Sequence, residues 1–271
     1  MNNLDKIVEK LSVNSKRLPI DKLELENTIE VLFHQILFPI CAEDCDTRKD
    51  IQCVHKVLIQ NISNLIKKED ALQIVGSFIN ELPAFQKKLI VEAECFLTND
   101  PAAKSVEEVV LTYPGFFALT VHRIAHYFNR LKVPIIPRLF SEYAHAKVGI
   151  DIHPGASIGN NFFIDHGTGI VIGETTIIAN NVKIYQGVTL GALHVSKSLK
   201  NKKRHPTIED NVVIYAGATI LGGNTLVGHD STIGGNVWLT KSVVPYSLVF
   251  HTSEVRIRLA NDFDDVLNFD I

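Results

Sequence analysis

The stretch from residue 165 to residue 190, DHGTGIVIGETTIIANNVKIYQGVTL, repeats an isoleucine or a leucine at every sixth position from Ile172 onwards. The spacing of six recurs, with interruptions, through the column Ile152, Ile158, Ile164, Ile172, Ile178, Ile184, Leu190, Ile208, Ile214, Ile220, Val227, Ile233 and Leu239. A period of six fits neither a helix nor a strand followed by a long crossover. It is typical of a parallel β-helix, in which three hexads, roughly 18 residues, close one triangular coil.

The hexad pattern is broken in three places, which we interpret as functional segments. Two extra residues lie between Ile164 and Ile172, one lies at Gly222-Gly223, and a long insertion follows Leu190. A prism with flat sides has no cleft, so a site must be built by a projecting segment or between packed prisms. The triangular cross-section favours three-fold packing.

The sequence predicts an α-helical N-terminal domain over residues 1–148, a β-helix domain over 149–245 and a tail over 246–271, which is an α+β fold class. In the first part, apolar spacing predicts helices near residues 24–38, 50–67, 70–82, 84–98, 102–111, 116–131 and 137–147. Pro83 kinks or divides the third and fourth of these. Pro101 is expected at the first position of the next helix.

The composition is that of an ordinary soluble protein, with 271 residues, 46% hydrophobic and 21% charged. A net charge of −3 and a pI near 6.4 give no electrostatic reason to bind nucleic acid or an anionic membrane. No stretch approaches about 18 uninterrupted apolar residues, and the start MNNLDKIVEK lacks the apolar core of a signal peptide. The expected location is therefore the cytoplasm.

The four cysteines are Cys41, Cys45, Cys53 and Cys95. The first three, with His55, lack the paired C-x2-C spacing of zinc knuckles. Free thiols in a reducing compartment are the preferred interpretation. The sequence therefore predicts no metal and assigns these cysteines no chemistry.

Two segments carry reactive side chains. In the first, His166 stands between a carboxylate and glycines, and a neutral imidazole can take a proton from a hydroxyl if its other nitrogen is held. Asp151 is a better candidate to orient it than Asp165, because successive strand residues point in opposite directions. A solvated His-Asp pair is the alternative.

The second segment is the insertion from Gly191 to Pro206, which carries no acidic residue and five cations: Lys197, Lys200, Lys202, Lys203 and Arg204. Such a loop on an acidic protein can hold the phosphates of a nucleotide-like cofactor. A solvated surface loop is the alternative.

Three motifs carry a family resemblance: DIHPGASIGN at 151–160, DHGTGIVIGET at 165–175 and GVTLG at 187–191. With Arg204-His205-Pro206 and the helical first part, they resemble the serine O-acetyltransferases of the hexapeptide-repeat acyltransferase superfamily. The resemblance runs from about residue 99 to residue 239. It implies a left-handed β-helix and homotrimers, in some members dimers of trimers, with active sites between neighbouring subunits.

The resemblance also implies roles for single residues. His166 resembles the general base and Asp151 its partner, and His205, which resembles a residue that holds serine, is grouped with them as catalytic. The implied serine contacts are Asp100, Asp165, Arg204 and Glu174. The implied acetyl-CoA contacts are Gly191, Ala192, Lys202, Lys203, Ala216, Gly234 and Gly235. The chain departs from the family pattern at residues 192–197, Tyr215 and 252–256.

The predicted reaction is acetyl transfer from acetyl-CoA to the hydroxyl of L-serine, giving O-acetyl-L-serine in cysteine biosynthesis without an acyl-enzyme. An acetyltransferase for another hydroxyl or amine and a non-catalytic β-helix scaffold stay open as alternatives. L-Cysteine is expected to compete with L-serine. Ile271 matches the position where the family often inserts its C-terminus into O-acetylserine sulfhydrylase.

Overall fold

The computed structural model describes residues 3–14, 18–39, 46–194 and 202–252. Its first part is helical, and the helices in chain order are α1 (Asn3–Asn14), α2 (Lys22–Val31), α3 (Thr47–Ile62), α4 (Lys68–Asn99), α5 (Val106–Thr112), α6 (Pro114–Arg130) and α7 (Ile136–Val148). A π-helical turn over Leu32–Leu37 continues α2. None of these described helices is long and apolar enough to cross a membrane.

Helix α4 replaces two predicted helices, because it runs without interruption through Pro83. Pro83 is exposed, whereas residues on both sides of it bury apolar side chains: Val75, Phe78, Leu82, Leu89, Ala93 and Phe96. Burial of one continuous apolar face outweighs the backbone hydrogen bond that proline removes. The prediction that Pro101 begins the next helix is wrong. Helix α5 begins at Val106, where the Ser105 hydroxyl accepts from the Glu108 N–H over 3.1 Å.

A left-handed parallel β-helix follows, built from strands of two or three residues. The strands are β1 (Asp151–Ile152), β2 (Ser157–Ile158), β3 (Phe163–Ile164), β4 (Val171–Ile172), β5 (Ile177–Ile178), β6 (Lys183–Ile184), β7 (Thr189–Gly191), β8 (Thr207–Ile208), β9 (Val213–Ile214), β10 (Thr219–Leu221), β11 (Leu226–Val227), β12 (Thr232–Ile233), β13 (Trp238–Leu239) and β14 (Leu248–Val249). The described strands form sheet A (β1-β4-β7-β10-β13), sheet B (β2-β5-β8-β11) and sheet C (β3-β6-β9-β12-β14).

The hexad column forms the core of this β-helix, as predicted. Ile152 pairs in register with Ile172, and Ile172 with Leu190. All three side chains are buried, at 3%, 1% and 0% exposure. Equivalent residues of successive coils therefore stack into one apolar interior, as the repeat requires.

Asparagines turn the corner between sheets B and C. Asn161, Asn181 and Asn211 have φ angles of 55°, 57° and 61°, a left-handed conformation that asparagine tolerates well. Their side-chain amides donate from one coil to the next, over 2.9 Å from Asn161 to Asn181 and 3.0 Å from Asn181 to Asn211. This ladder holds the coils in register at a corner that carries no catalytic candidate.

Helix α6 covers the open end of the first coil. The guanidinium of Arg123 donates to the backbone carbonyls of Ile158 and Gly159. It also forms an ion pair with Glu92 of α4 over 2.6 Å, and both side chains are almost fully buried. Edge carbonyls that the β-helix cannot pair within itself are thereby satisfied by side chains.

Candidate active site

The predicted site residues lie at two corners of the β-helix, on opposite edges of sheet A. Corner I joins sheet C to sheet A through residues 165–170, 185–188, 215–218 and 234–237. Corner II joins sheet A to sheet B through the described residues 153–156, 173–176, 192–194, 202–206 and 222–225. Most of the predicted residues therefore fall into two separate groups within one chain.

Corner I carries His166 and two carboxylates. Nε2 of His166 lies 3.7 Å from Oδ1 of Asp165, and 72% of the His166 side chain is exposed. Asp100, at the C-terminal end of α4, accepts a hydrogen bond from the Tyr113 hydroxyl over 2.6 Å. A protonated His166 would lower the pKa of Asp100 further. The helical part thus places a carboxylate, Asp100, at the same corner as His166 of the β-helix.

The contact with Tyr113 stabilises the ionised form of Asp100. Hydrogen bonds from the Tyr113 hydroxyl and from the Ala102 N–H lower the pKa of Asp100, and the same Asp100 contact raises the pKa of Tyr113 to about 12. Asp100 and Asp165 form an acidic patch beside His166 that suits an ammonium group. Sequence analysis missed Tyr113, because no motif marks its relation to Asp100.

The backbone projects His166 outwards. His166 has a φ of 55° and Gly167 a φ of 91°, both in the left-handed region. A Cβ on Gly167 would lie 2.4 Å from Cδ1 of Ile150, so only glycine fits this turn. The two-residue break in the hexad pattern therefore serves to expose the imidazole.

Two tyrosines continue corner I beyond the acidic patch. Tyr185 and Tyr215 stack with ring centroids 5.0 Å apart and planes 17° apart. Burial, followed by the charge of Asp165, raises the pKa of Tyr185. Sequence analysis named Tyr215 as a departure from the family pattern. It missed Tyr185, because the two rings meet only when successive coils stack.

Corner II carries His205, which is held by Thr175 and lies against Gly173. Its Nδ1 accepts from the Thr175 N–H over 3.1 Å. A Cβ on Gly173 would lie 2.1 Å from Nε2, so glycine is required beneath the ring. Burial, followed by the charges of Arg204 and Lys203, lowers the pKa of His205 to about 4. The ring is therefore neutral at physiological pH.

The adjacent Arg204 supplies the positive charge of corner II. Its guanidinium forms an ion pair with Glu174, and the side chains are 19% and 38% exposed. Burial opposes ionisation of Glu174, but the hydrogen bond from Arg204 and nearby positive charges outweigh it and lower the pKa of Glu174. The structure thus brings together three residues of the predicted set: Glu174, Arg204 and His205.

Lys203 has a structural role at this corner. Its Nζ donates to the carbonyls of Thr175 over 2.8 Å, of Pro206 over 3.0 Å, and of His205. An ammonium has three donors, so these carbonyls occupy it. This geometry leaves the Lys203 ammonium no donor for the predicted phosphate contact, although Lys203 and Lys202 are both exposed residues. Lys197 and Lys200 lie outside the described residues.

The other predicted coenzyme contacts are also divided. Gly191 and Ala192 lie at the start of corner II, and Ala216, Gly234 and Gly235 lie at corner I. A Cβ on Gly235 would lie 3.2 Å from the carbonyl oxygen of Ala216, so the backbones of neighbouring coils approach closely there. No one corner holds the whole predicted coenzyme set.

Asp151 lies apart from His166 in the chain. It begins β1 on sheet A, and no hydrogen bond or ion pair between described residues joins it to His166. Its carboxylate lies with the side chains of Glu142 and His145 of α7, all within 4.8 Å of one another. No hydrogen bond or ion pair within one chain therefore supports a role for Asp151 in orienting His166. That role stays a prediction.

The two cysteines that the structure describes lie in helices α3 and α4, outside both corners. Cys53 and Cys95 are free thiols, and burial raises the pKa of Cys95. Cys41 and Cys45 lie outside the described residues. The raised pKa of Cys95 disfavours a nucleophilic role for that thiol, because nucleophilic cysteines need a lowered pKa.

The two corners differ in their chemistry. Corner I carries an exposed imidazole and carboxylates, while corner II carries a guanidinium and a neutral imidazole. Across the described residues, no hydrogen bond or ion pair links the two groups. If corner I of one chain meets corner II of another, a base, an ammonium-binding group and a carboxylate-binding group come together.

Comparisons with known proteins point to one family. No protein-family model matches the chain. A plasmid serine acetyltransferase of Synechococcus elongatus is 47% identical over 201 residues, which are 72% of this chain and 62% of that protein. The serine acetyltransferase of Bacillus subtilis is 46% identical over 165 residues, 61% of this chain and 74% of that protein.

A solved structure extends the similarity over the helical part. The crystal structure of serine acetyltransferase isoform 3 from Entamoeba histolytica in complex with cysteine matches with a TM-score of 0.77 and 34% identity. It covers 92% of this chain and 89% of that one. By contrast, the chain spans only 62% of the length of the Synechococcus elongatus relative.

Proposed function

The chain belongs to the serine acetyltransferase family, and we propose that it transfers the acetyl group of acetyl-CoA to the hydroxyl of L-serine, giving O-acetyl-L-serine for cysteine biosynthesis. The observation that carries this proposal is the division of the site between two corners. Serine has an ammonium, a carboxylate and a hydroxyl. Those groups complement the acidic patch and base of corner I and the guanidinium of corner II.

The proposed active unit is a homotrimer, which can stack as a dimer of trimers. In a three-fold assembly of triangular prisms, corner I of one subunit can face corner II of its neighbour, so that three equal sites form. The exposed His166 side chain supports this arrangement, because it extends from its own chain.

In the proposed mechanism, the two substrates are held together and His166 removes a proton. Asp100 and Asp165 bind the serine ammonium, and Arg204 of the neighbouring subunit binds its carboxylate. As the hydroxyl oxygen attacks the thioester carbonyl, His166 takes the hydroxyl proton. Collapse of the tetrahedral intermediate breaks the C–S bond, and the proton passes to the departing thiolate. Positioning contributes roughly 7 to 11 kcal/mol at best, and the base about 10² to 10⁴ in rate.

His205 has a different task in this mechanism. Its Nδ1 is occupied by Thr175, so the neutral ring can donate from Nε2. A preorganised donor stabilises the negative charge that develops on the thioester carbonyl oxygen. We therefore assign general base catalysis to His166 and hydrogen-bond donation to His205, with Asp151 orienting His166 once the assembly forms.

Acetyl-CoA is proposed to lie between the two corners. The exposed Lys202 meets its phosphates, near Gly191 and Ala192. The pantetheine arm follows corner I past the close backbones of Ala216, Gly234 and Gly235. Lys203 supports this site indirectly, because it anchors the end of the loop that carries Lys202.

L-Cysteine is proposed to compete with L-serine at this site, since it presents the same ammonium and carboxylate and replaces oxygen by sulfur.

The C-terminus is proposed to bind a partner enzyme. Ile271, which lies outside the described residues, is proposed to enter the active site of O-acetylserine sulfhydrylase, where backbone N–H groups bind its carboxylate. We propose the cytoplasm as its location, and residues 1–148, 149–245 and 246–271 as its two domains and tail.

A panel of acceptors tests the proposed reaction. The purified protein is incubated with acetyl-CoA and L-serine, ethanolamine, or a hexose, and the release of free thiol is measured. L-Serine should react fastest, because ethanolamine lacks the carboxylate that Arg204 binds and the hexose lacks the ammonium as well. A hexose that reacts faster than L-serine would favour an acetyltransferase for another acceptor. Absence of acetyl-CoA binding would favour a scaffold.

A further inference from the structure

A basic cavity lies between α4, α6 and the first coil of the β-helix, outside both corners. It encloses about 410 Å³. Its polar lining includes Lys88 of α4, Arg123, His126 and Arg130 of α6, and Ser157 of the edge strand β2. Glu81 contributes a carboxylate. Cations from two helices therefore meet a strand of the β-helix at one place.

The positive charge of this cavity is only partly balanced. Arg123 is neutralised by Glu92, to which it donates over 3.0 and 2.6 Å. Lys88 and Arg130 form no ion pair with any carboxylate in the described part of the chain. Two cations without a carboxylate partner beside a single acidic group leave the cavity with a surplus of positive charge.

His126 lies among these cations in the lining of the cavity. Burial lowers its pKa, the hydrogen bond with the Pro154 carbonyl opposes this, and the charges of Arg130, Arg123 and Lys88 lower it further. Nδ1 of His126 lies 2.9 Å from the carbonyl oxygen of Pro154, which accepts only, so this nitrogen carries the proton. His126 thus stays neutral and adds no charge that competes with Lys88 and Arg130 for an anion.

We propose that this cavity binds a tetrahedral oxyanion of the phosphate or sulfate class, either a free ion or the phosphate of a small phosphomonoester. Lys88 and Arg130 supply charge-assisted donors from two helices, and the Ser157 hydroxyl supplies a neutral donor from β2. A bound oxyanion ties both helices to the first coil. It therefore stabilises the docking of the helical part on the β-helix.

The test is ligand-dependent thermal unfolding of the full chain. Sodium phosphate, sodium sulfate and glycerol phosphate are compared with sodium chloride at equal ionic strength, and titration calorimetry gives the affinity. The oxyanions should raise Tm where chloride does not. Lys88→Gln and Arg130→Gln should each weaken phosphate binding by about tenfold or more, because each removes a charge-assisted donor.

The control variant Lys87→Gln, which removes the neighbouring exposed lysine of α4, should keep the rise in Tm that the oxyanions give with the unmodified protein. The Tm of each variant without anion shows that it folds. A larger shift with glycerol phosphate than with phosphate identifies a phosphomonoester as the ligand, and the reverse identifies a free ion. A response that chloride reproduces, or that survives Lys88→Gln combined with Arg130→Gln, would overturn the proposal.

Discussion

Thr175 holds His205 through two groups, because its backbone N–H donates to Nδ1 over 3.1 Å and its hydroxyl oxygen lies 2.9 Å from the same nitrogen. That hydroxyl oxygen accepts the backbone N–H groups of Arg204 and His205 over 2.9 and 3.1 Å, which directs its own proton to the ring. Nδ1 is therefore an acceptor, and the neutral imidazole carries its proton on Nε2. In this tautomer Nε2–H of His205 can donate a hydrogen bond, and Nδ1 is not available as a base.

We expect His205→Gln to retain more activity than His205→Ala. A glutamine amide can donate in place of Nε2–H, whereas alanine removes the donor, a loss that in comparable sites costs about 10² to 10³ in kcat. The measurement is kcat for both variants at saturating L-serine and acetyl-CoA. Equal losses in the two variants would contradict the donor role.

The low pKa of His205 predicts a loss of stability in acid. Its pKa is lowered from 6.5 to about 4. Between these values the unfolded chain binds a proton at His205 and the folded chain does not, so the free energy of unfolding falls as the pH decreases through this window. His205→Gln lacks this contribution, and its free energy of unfolding should depend less on pH there. Urea unfolding of both proteins checks this, and parallel pH curves would rule it out.

Neighbouring lysines of corner II should differ in effect. Lys202→Met should raise KM for acetyl-CoA severalfold and leave KM for L-serine and Tm nearly unchanged. Lys203→Met removes three hydrogen bonds to carbonyls, so it should lower the free energy of unfolding by roughly 1 to 3 kcal/mol. Steady-state kinetics and thermal unfolding of both variants provide the comparison. A stable Lys203→Met protein with impaired acetyl-CoA binding alone would reverse the assignment.

The buried ion pair between Glu92 and Arg123 should stabilise the junction of helices and β-helix. Arg123→Met should destabilise by about 3 to 5 kcal/mol, because it leaves a carboxylate buried without its partner. Combining it with Glu92→Leu should recover most of the loss. Arg138→Met is the matched control, since it breaks an exposed pair with Glu142 and should cost about 1 kcal/mol or less. Urea unfolding gives the free energy of unfolding of the unmodified protein and of the three variants. Equal losses of free energy in Arg123→Met and Arg138→Met would refute the junction role.

The repeat in the sequence was sufficient to predict the β-helix, because each inward residue recurs at a fixed spacing. The motifs also identified His166, Asp165, Arg204 and His205 as candidates, since turns with those residue types interrupt the repeat. Pro83 shows where local preference failed. The long apolar face of α4 outweighed the break that proline favours.

Contacts between distant segments were beyond sequence analysis. The Tyr113 hydroxyl reaches Asp100 because of how α5 and α6 turn back onto the end of α4. The sequence alone does not distinguish Lys203, whose ammonium donates to three backbone carbonyls, from the neighbouring Lys202. The separation of the site into two corners also depends on which sheets each turn connects, and the motif order does not reveal it.

The sharing of each site between subunits is tested most directly by mixing two inactive variants. His166→Ala disables corner I and Arg204→Ala disables corner II, so each should be nearly inactive alone while remaining trimeric. On random reassembly of equal amounts, about three quarters of the trimers are mixed, and each mixed trimer has one intact site of three. We therefore predict recovery of roughly one quarter of the unmodified activity. Mixed trimers that form, as seen by native mass spectrometry, yet show no activity above the separate variants would contradict a site shared between subunits.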